Sequence, residues 1–385
     1  MRVLVTGYSY IYQRFFKMFD YFPEEFQFVF VLPAVWRAKQ GKVIYRAPES
    51  DKYQVITQEA YFSHSNYPLV GGLFKGWQPG FGGALKKYLQ QEKIDLVYAA
   101  SEPHLMSTCF YCQSAQKHNL KIILFSWENI SFRQKFSGWK LKIFEKIIKK
   151  NLKMSKGLFC GNEAACQIFD NYNHKIKKTI CPISGVDTEL FRPSERNSDK
   201  TRFLFAGAIG QRKGIFLIVE VFANLVEKYN NLELIICGSG EDEDKLQKLI
   251  KEKGLSDFIK IFPWLDSNQL AEKFGSSDVF LYPSLPEKGW AEQFGFSMVE
   301  AQAAGLPVIA TRIGSISEVV KDQETGLLIK PGDHRELSVA MEKLHLNKKL
   351  RQEMGRAGRR WALDNFSYQK VAEKMAKFFK EVANE

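Results

Sequence analysis

The 385-residue chain contains no run of about 18 apolar residues, so no helix able to span a bilayer is expected. Its first residues, MRVLVTGYSY, read as a strand and a turn rather than as a basic start followed by a long apolar core, so no secretory signal is expected. Cysteine is sparse and scattered: Cys109, Cys112, Cys160, Cys166, Cys181 and Cys237. Cys109 and Cys112 stand in a C-x-x-C spacing, but no second pair completes a zinc site, and the two read as small residues of a buried helix. A reduced, cytoplasmic protein without a structural metal is the simplest expectation. No internal repeat, low-complexity tract or DNA- or RNA-binding signature is present, so nucleic acid is not an expected partner.

What remains is an ordinary globular composition, 45% hydrophobic and 25% charged, in a chain long enough for two cores. The net charge of +12 is unevenly placed. Residues 1–190 hold 26 basic and 15 acidic side chains, whereas residues 191–385 hold 29 and 28. Within the first half, residues 133–156 carry nine bases and one acid, Glu145. Trp139, Leu141, Phe144, Ile147, Ile148 and Leu152 run through that segment at helical spacing. Two readings are open. The segment is either an interfacial helix on an anionic membrane or an amphipathic helix whose apolar side packs on its own domain.

Both halves alternate short apolar runs with helical stretches, the pattern of doubly wound parallel sheets. Strands are expected at 2–7, 26–33, 95–100, 121–126 and 157–162, with helices near 9–20, 83–93, 105–118, 138–153 and 163–170. The glycine-rich stretch 65–83 reads as an irregular connection or as a mobile lid over an acceptor. Pro182, Gly185 and Pro193 interrupt regular structure across 179–200, and a domain boundary is expected at 190–191. Strands then resume at 202–210, 232–238, 259–264, 279–284, 307–312 and 326–330, and a long last helix begins at Tyr368.

The chemistry-bearing residues fall after strands of the second half, where open parallel sheets bind ligands. GAIGQRKG (207–214) joins a strand to a helix; Gly207 lets backbone approach a ligand, and Arg212 and Lys213 offer two cations to a diphosphate. GSG (238–240) makes Gly238 part of a second tight turn. Trp264 or Phe262, after the third strand, would stack on a base or else sit in the core. Glu292 and Glu300 lie eight positions apart, with Phe294 and Gly295 at a turn-to-helix junction between them. Glu300 is expected on a helix face shared with Phe296 and Ser297, looking back toward the loop of Glu292. Two carboxylates so placed suit ribose hydroxyls and a transferred sugar.

EQFGFSMVEAQAAGLPVIAT (292–311), with GVDTELFRP (185–193), the turn at 207–214 and TGLLIKPGD (325–333), resembles the family-4 retaining glycosyltransferases of glycosyl transferases group 1. The match covers most of 179–330 and, more loosely, the whole chain. The resemblance implies an α/β GT-B fold: two Rossmann-like doubly wound parallel-sheet domains facing a cleft. It implies an acceptor domain at 1–190, a donor domain at 191–367, and a final helix (368–385) packing back on the first. It implies that Lys213 binds the donor diphosphate, Glu300 the ribose and Glu292 the sugar, with no metal and with retention at the anomeric carbon. Two positions depart from the pattern. Ala208 stands where an arginine is usual, leaving Arg212 to supply that charge, and FSWEN (125–129) replaces a usual acceptor-side histidine. Glu102, His104 and Trp127 are the acceptor-side candidates.

The expected activity is transfer of a sugar from a nucleoside diphosphate to a hydroxyl of a lipid-linked or cell-envelope glycan precursor, at the inner face of a membrane. A non-catalytic nucleotide-sugar-binding protein, an epimerase and a phosphorylase of the same fold remain open.

Overall fold

The computed structural model describes residues 1–38, 41–44, 53–63, 70–173, 175–195 and 199–384. The chain divides into two compact units, Met1–Gly185 with Tyr368–Glu385, and Val186–Ser367. The division falls at Gly185–Val186, a few residues before the boundary drawn from the sequence.

Among the described residues the first unit has nine strands: β1 (Arg2–Thr6), β2 (Gln27–Pro33), β3 (Val35–Ala38), β4 (Gly41–Ile44), β5 (Tyr53–Gln58), β6 (Leu96–Ala99), β7 (Lys121–Ser126), β8 (Gly157–Cys160) and β9 (Lys177–Ile180). Seven form one sheet in the order β5-β2-β1-β6-β7-β8-β9, parallel throughout. β3 and β4 pair antiparallel as a separate ribbon. The central strands are buried on both faces, so they are continuous apolar runs and easily read. β5 and β9 at the edges are half-buried and carry polar residues, which is why the sequence reading misses them. The helices are α1 (Val70–Leu73), α2 (Phe81–Leu89), α3 (Met106–Lys117), α4 (Phe132–Lys135), α5 (Gly138–Met154) and α6 (Glu163–Asp170).

Three expectations change here. The helix near 9–20 is instead three short 3-10 turns, Ser9–Ile11, Gln13–Phe15 and Lys17–Tyr21. Tyr10, Phe15, Phe16 and Phe19 are all buried, and no single α-helical face presents those four positions to one core. Of the glycine-rich stretch 65–83, residues 65–69 lie outside the described residues; the rest includes α1 and the start of α2 rather than one irregular connection. Cys160 and Cys166 are joined as a disulfide between the end of β8 and α6, whereas the sequence reading took the cysteines as reduced. Cys109 and Cys112 are buried in α3, as two small core residues should be.

The second unit carries β10 (Thr201–Ala206), α7 (Ile215–Val226), β11 (Leu232–Cys237), α8 (Glu243–Glu252), β12 (Ile259–Phe262), α9 (Ser267–Gly275) and β13 (Val279–Tyr282). These are followed by α10 (Phe296–Ala303), β14 (Val308–Thr311), α11 (Ile316–Val319), β15 (Gly326–Ile329), α12 (His334–Leu346) and α13 (Lys348–Phe366). Its six strands run parallel in the order β12-β11-β10-β13-β14-β15. The order reverses between β10 and β13, and that switch point opens a crevice at the carboxyl edge of the sheet. α7 is buried almost all round, through Ile215, Leu217, Ile218, Val219, Val221, Phe222 and Leu225, and anchors the turn that precedes it.

The last helix, α14 (Tyr368–Ala383), returns to the first unit. Val371, Met375, Phe378, Phe379 and Val382 form its buried stripe at three- and four-residue spacing. The Phe379 ring lies 5.5 Å from Tyr98, 5.6 Å from Phe159 and 6.1 Å from Phe22.

Candidate active site

The crevice of the second unit is shaped by backbone meeting backbone. The turn after β11 lies directly on the turn after β10. A Cβ on Gly238, whose φ is +144°, would stand 1.9 Å from the Gly207 carbonyl oxygen, and one on Gly240 would stand 2.0 Å from that of Ile209. Gly238 is therefore required by contact between the two turns, a reason the sequence reading did not give. Gly214, at φ +71°, ends the 3-10 turn Gln211–Lys213; a Cβ there would meet the Pro283 carbonyl oxygen at 2.1 Å. The Leu285 N–H donates to the Arg212 carbonyl at 2.8 Å. The turn after β10 and the loop after β13 are thus held as one piece.

That junction brings three sequence-predicted residues together. The Lys213 ammonium donates to Glu292 Oε2 at 2.8 Å and to the Tyr282 hydroxyl at 2.8 Å. The Ser284 hydroxyl donates to the same carboxylate oxygen at 3.4 Å. Both members of the ion pair are largely shielded, the Lys213 side chain 15% and the Glu292 side chain 10% exposed. Burial lowers the Lys213 pKa, and the Glu292 charge opposes that shift. Burial, with the Glu292 charge, pushes Tyr282 well above an ordinary phenol, so it stays protonated. Arg212 lies over the face of Trp290, its guanidinium carbon 3.7 Å from the ring centroid.

Tyr282, Ser284 and Trp290 belong to this site without having been assigned to it. Tyr282 is the last residue of an apolar strand and reads as core; its position at the carboxyl end was the available signal.

The remaining donor-side candidates are placed as follows. Gly295, at φ +85°, caps α10, which starts at Phe296, so the turn-to-helix junction falls where the sequence places it. Phe294 is buried, 4.9 Å from Phe296 and 5.4 Å from Phe366. On α10, Phe296, Ser297 and Glu300 are half-buried while Met298, Val299, Ala301, Gln302 and Ala303 are buried. Glu300 therefore shares the outer face with Phe296 and Ser297. Trp264 is 59% exposed beyond β12, whereas the Phe262 ring is covered by the Lys273 ammonium at 3.8 Å. A separate cavity of about 1310 Å³ opens at the amino edge of this sheet, beside Thr201, Asp278 and Gly305; it lies away from Lys213 and Glu292.

The acceptor-side candidates form a cluster at the carboxyl edge of the first sheet. Glu102 accepts from the Ser126 hydroxyl at 2.5 Å and from the Trp127 N–H at 2.8 Å. Burial, and then the charge of Glu128, push its carboxyl up to about 7. Glu128 is itself paired with Lys135 at 2.6 Å. His104 Nδ1 stands 3.9 Å from Glu102 and has no hydrogen-bond partner among the described residues. Its ring lies 5.2 Å from Phe132 and 6.0 Å from Phe144. Burial, with the nearby Lys135 and Lys75, lowers its pKa to about 3, so it is neutral. The Trp127 ring lies over Gly161, where a Cβ would stand 2.1 Å from it.

The basic segment 133–156 resolves into α4 and α5. Phe144, Ile147, Ile148 and Leu152 are buried, and Leu141 is partly buried. Most of the apolar stripe thus belongs to the domain core, which corrects the picture of a helix lying on a membrane by that face. Trp139, 60% exposed, and Ile143 stay outside among the lysines. Among the described residues no helix is long and apolar enough to cross a membrane, and no three His, Cys, Asp or Glu side chains converge to hold a metal ion.

Residues 186–361, nearly all of the second unit, match the family described as Glycosyl transferases group 1. Over 222 residues the chain is 32% identical to the D-inositol 3-phosphate glycosyltransferase of Paenarthrobacter aurescens, covering 54% of this chain and 53% of that one. Over 197 residues it is 35% identical to the MMP alpha-(1->4)-mannosyltransferase of Mycolicibacterium hassiacum, covering 50% and 46%. The chain spans about half the length of the curated relatives it matches. Among solved structures it resembles the sucrose-phosphate synthase of Thermosynechococcus elongatus, with a TM-score of 0.74, 18% identity and 99% of each chain covered. It also resembles the Anabaena protein HepE in complex with UDP, with a TM-score of 0.71, 14% identity and 99% of each chain covered. These likenesses establish the fold: both units are the parallel-sheet α/β domains of the GT-B architecture.

Proposed function

We propose that this protein is a retaining, family-4-type glycosyltransferase, moving a sugar from a nucleoside diphosphate to a hydroxyl acceptor without a bound metal. The observation that carries the reading is the shielded Lys213–Glu292–Tyr282 cluster at the switch point between β10 and β13, with the Arg212 guanidinium beside it. A diphosphate leaving group gains negative charge as the bond to the sugar breaks. Cations already fixed in a partly dry site stabilise that charge at little reorganisation cost. In the donor-free site Lys213 and Glu292 neutralise each other. A diphosphate competes for Lys213 and frees the Glu292 carboxylate for the sugar, where it also favours positive charge at the anomeric carbon. Glu300, on the outer face of α10, serves the ribose, and the exposed Trp264 is available to the base. No covalent nucleophile is assigned. HepE, solved with UDP, supports a nucleotide donor.

On the acceptor side we assign Glu102, His104 and Trp127. A carboxyl raised to about 7 is suited to accepting a hydroxyl proton near neutral pH, while the His104 imidazole beside it, held neutral with a pKa of about 3, is a hydrogen-bonding group rather than the base. The acceptor is taken to be a lipid-linked or cell-envelope glycan precursor, and the protein to be cytoplasmic and peripheral at the inner membrane face. The exposed Trp139 and Ile143 and the lysines of α5 support that placement.

The test is a thermal-shift panel of UDP, GDP, ADP and their sugars, followed by transfer from the stabilising donor with and without a chelator. A ligand that binds the folded state raises its melting temperature by mass action. At least one nucleotide should do so, and transfer should survive chelation. A flat response to all of them would overturn the donor site. Stabilisation without turnover would favour a binding protein, and epimerised or phosphorolysed product would favour the rival activities.

A further inference from the structure

Trp290 has no assigned role, yet the loop around it is built to hold its ring. The Trp290 N–H donates to the Glu287 carbonyl at 2.9 Å, and the Glu287 N–H donates back to the Trp290 carbonyl at 3.3 Å. Lys288 and Gly289 close this two-residue hairpin, with Gly289 at φ +75°. The loop start is tied to the phosphate-type turn through Leu285 and the Arg212 carbonyl. Across that seam the indole lies against the Arg212 guanidinium, 3.7 Å from centroid to Cζ, and the Lys213 ammonium stands 5.7 Å from the same ring.

The Arg212 charge is otherwise poorly matched. Its nearest carboxylate, Glu287, is 3.9 Å from Nε, and the Glu287 side chain is 66% exposed, too far and too wet to neutralise it. Arg212 Nη1 is buried and has no hydrogen-bond partner among the described residues. A buried guanidinium N–H without an acceptor is costly unless a ligand supplies one. Stacking on an aromatic face leaves the in-plane N–H groups of a guanidinium free to donate.

We infer that Trp290 is a positioning residue for the donor diphosphate: its indole holds the Arg212 guanidinium beside Lys213 with an N–H directed to a phosphate oxygen. The inference rests on the donor-site reading above and adds a residue to it. Trp290 acts through Arg212, not by touching the reacting atoms. A ring that merely blocked the empty site would have the opposite effect on binding when removed.

The experiment measures the Kd of UDP, GDP or ADP, whichever stabilises the protein most, by titration calorimetry. The proteins are wild type, Trp290→Ala, Trp290→Phe, Arg212→Ala, the Arg212→Ala/Trp290→Ala double variant and Lys213→Ala. Unliganded melting temperatures are recorded for each. Trp290→Ala should weaken binding about tenfold, the scale of one desolvated cation–π contact, and Trp290→Phe should recover most of it. In the Arg212→Ala background the Trp290→Ala change should cost nothing further, because the two act as a unit. Additive losses, an undiminished Kd for Trp290→Ala, or tighter binding by that variant would each overturn the inference while leaving the donor site in place. If Arg212→Ala and Lys213→Ala both bind as wild type, or if no nucleotide binds, the donor-site reading itself falls and the inference with it. A variant that melts below the assay temperature is replaced by Trp290→His in the same cycle, judged by the same outcomes.

Discussion

Glu292→Ala tests the centre of the proposed site in both stability and binding. In the intact protein the Lys213 ammonium has two acceptors, Glu292 Oε2 and the Tyr282 hydroxyl, each at 2.8 Å. The substitution leaves a mostly buried cation with one neutral partner. Breaking a fully buried pair by removing one member costs about 3–5 kcal/mol. Residual solvent access and the retained tyrosine reduce that to about 2–3 kcal/mol here. For a unit of this size such a loss lowers the melting temperature by about 5–10 °C. A nucleoside diphosphate would supply the missing anion, so its stabilising shift should be larger in Glu292→Ala than in wild type. Its Kd should be no weaker, although transfer is lost. Lys213→Ala should instead weaken nucleotide binding by about 10–100-fold, the value of one charge-assisted hydrogen bond. Differential scanning fluorimetry with and without UDP reads all three effects. If Glu292→Ala melts like wild type and responds to UDP no more strongly, the pair is not what holds the empty site, and the competition for Lys213 is wrong.

Three other predictions concern the first unit. The Glu102 carboxyl is raised on folding from 4.5 to about 7, so between those values the folded state holds the proton more tightly, and stability falls as pH rises. Glu102→Gln should therefore gain stability over wild type progressively across that window and by a constant amount above it; a pH-independent difference in urea melts would refute the shift. Phe379→Ala should destabilise the first unit by about 3–5 kcal/mol in denaturant titration, because the ring is fully enclosed by Tyr98, Phe159 and Phe22; a loss below about 1 kcal/mol would mean that α14 is not part of that core. Sedimentation with anionic vesicles should fall with added salt and after Trp139→Ala with Lys149→Glu and Lys150→Glu; unchanged sedimentation would remove α5 as the anchor.

The fold was readable wherever burial wrote a plain pattern. β10, β11, β13 and β14 are buried along nearly all their length; FLFA, LIIC and VFLY are apolar runs closed by Gly207, Gly238 and Pro283, and VIA is opened by Pro307. The edge strand β9, KKTI, has no such run, and β5 alternates weakly because both its faces are only half-buried. Residues 9–20 look helical by composition, but their aromatics must enter the core on several sides, which only tertiary packing decides. The same holds for α5: periodicity shows an apolar stripe without saying whether lipid or protein covers it.

At the site, Arg212, Lys213 and Glu292 were legible because glycines and charges at a strand end have few other uses. Their pairing was not, since nothing in the spacing says that Lys213 reaches Glu292 or that Tyr282 lies beneath it. The sequence shows Gly238 only as part of a tight turn; the contact that requires a glycine there, with the Gly207 carbonyl, appears only in the fold. His104 shows the limit most clearly. Its type suggests an acid–base group that titrates near neutral pH, and only the fold shows that burial among Phe132, Phe144 and two lysines keeps it neutral far below that.

The most direct measurement is the structure of the protein with its stabilising nucleoside diphosphate bound. The account predicts phosphate oxygens within hydrogen-bond distance of Lys213 Nζ and Arg212, with Glu292 released from the lysine. A diphosphate seated at the amino edge of the second sheet, or in the first unit, with Lys213 still on Glu292, would contradict it.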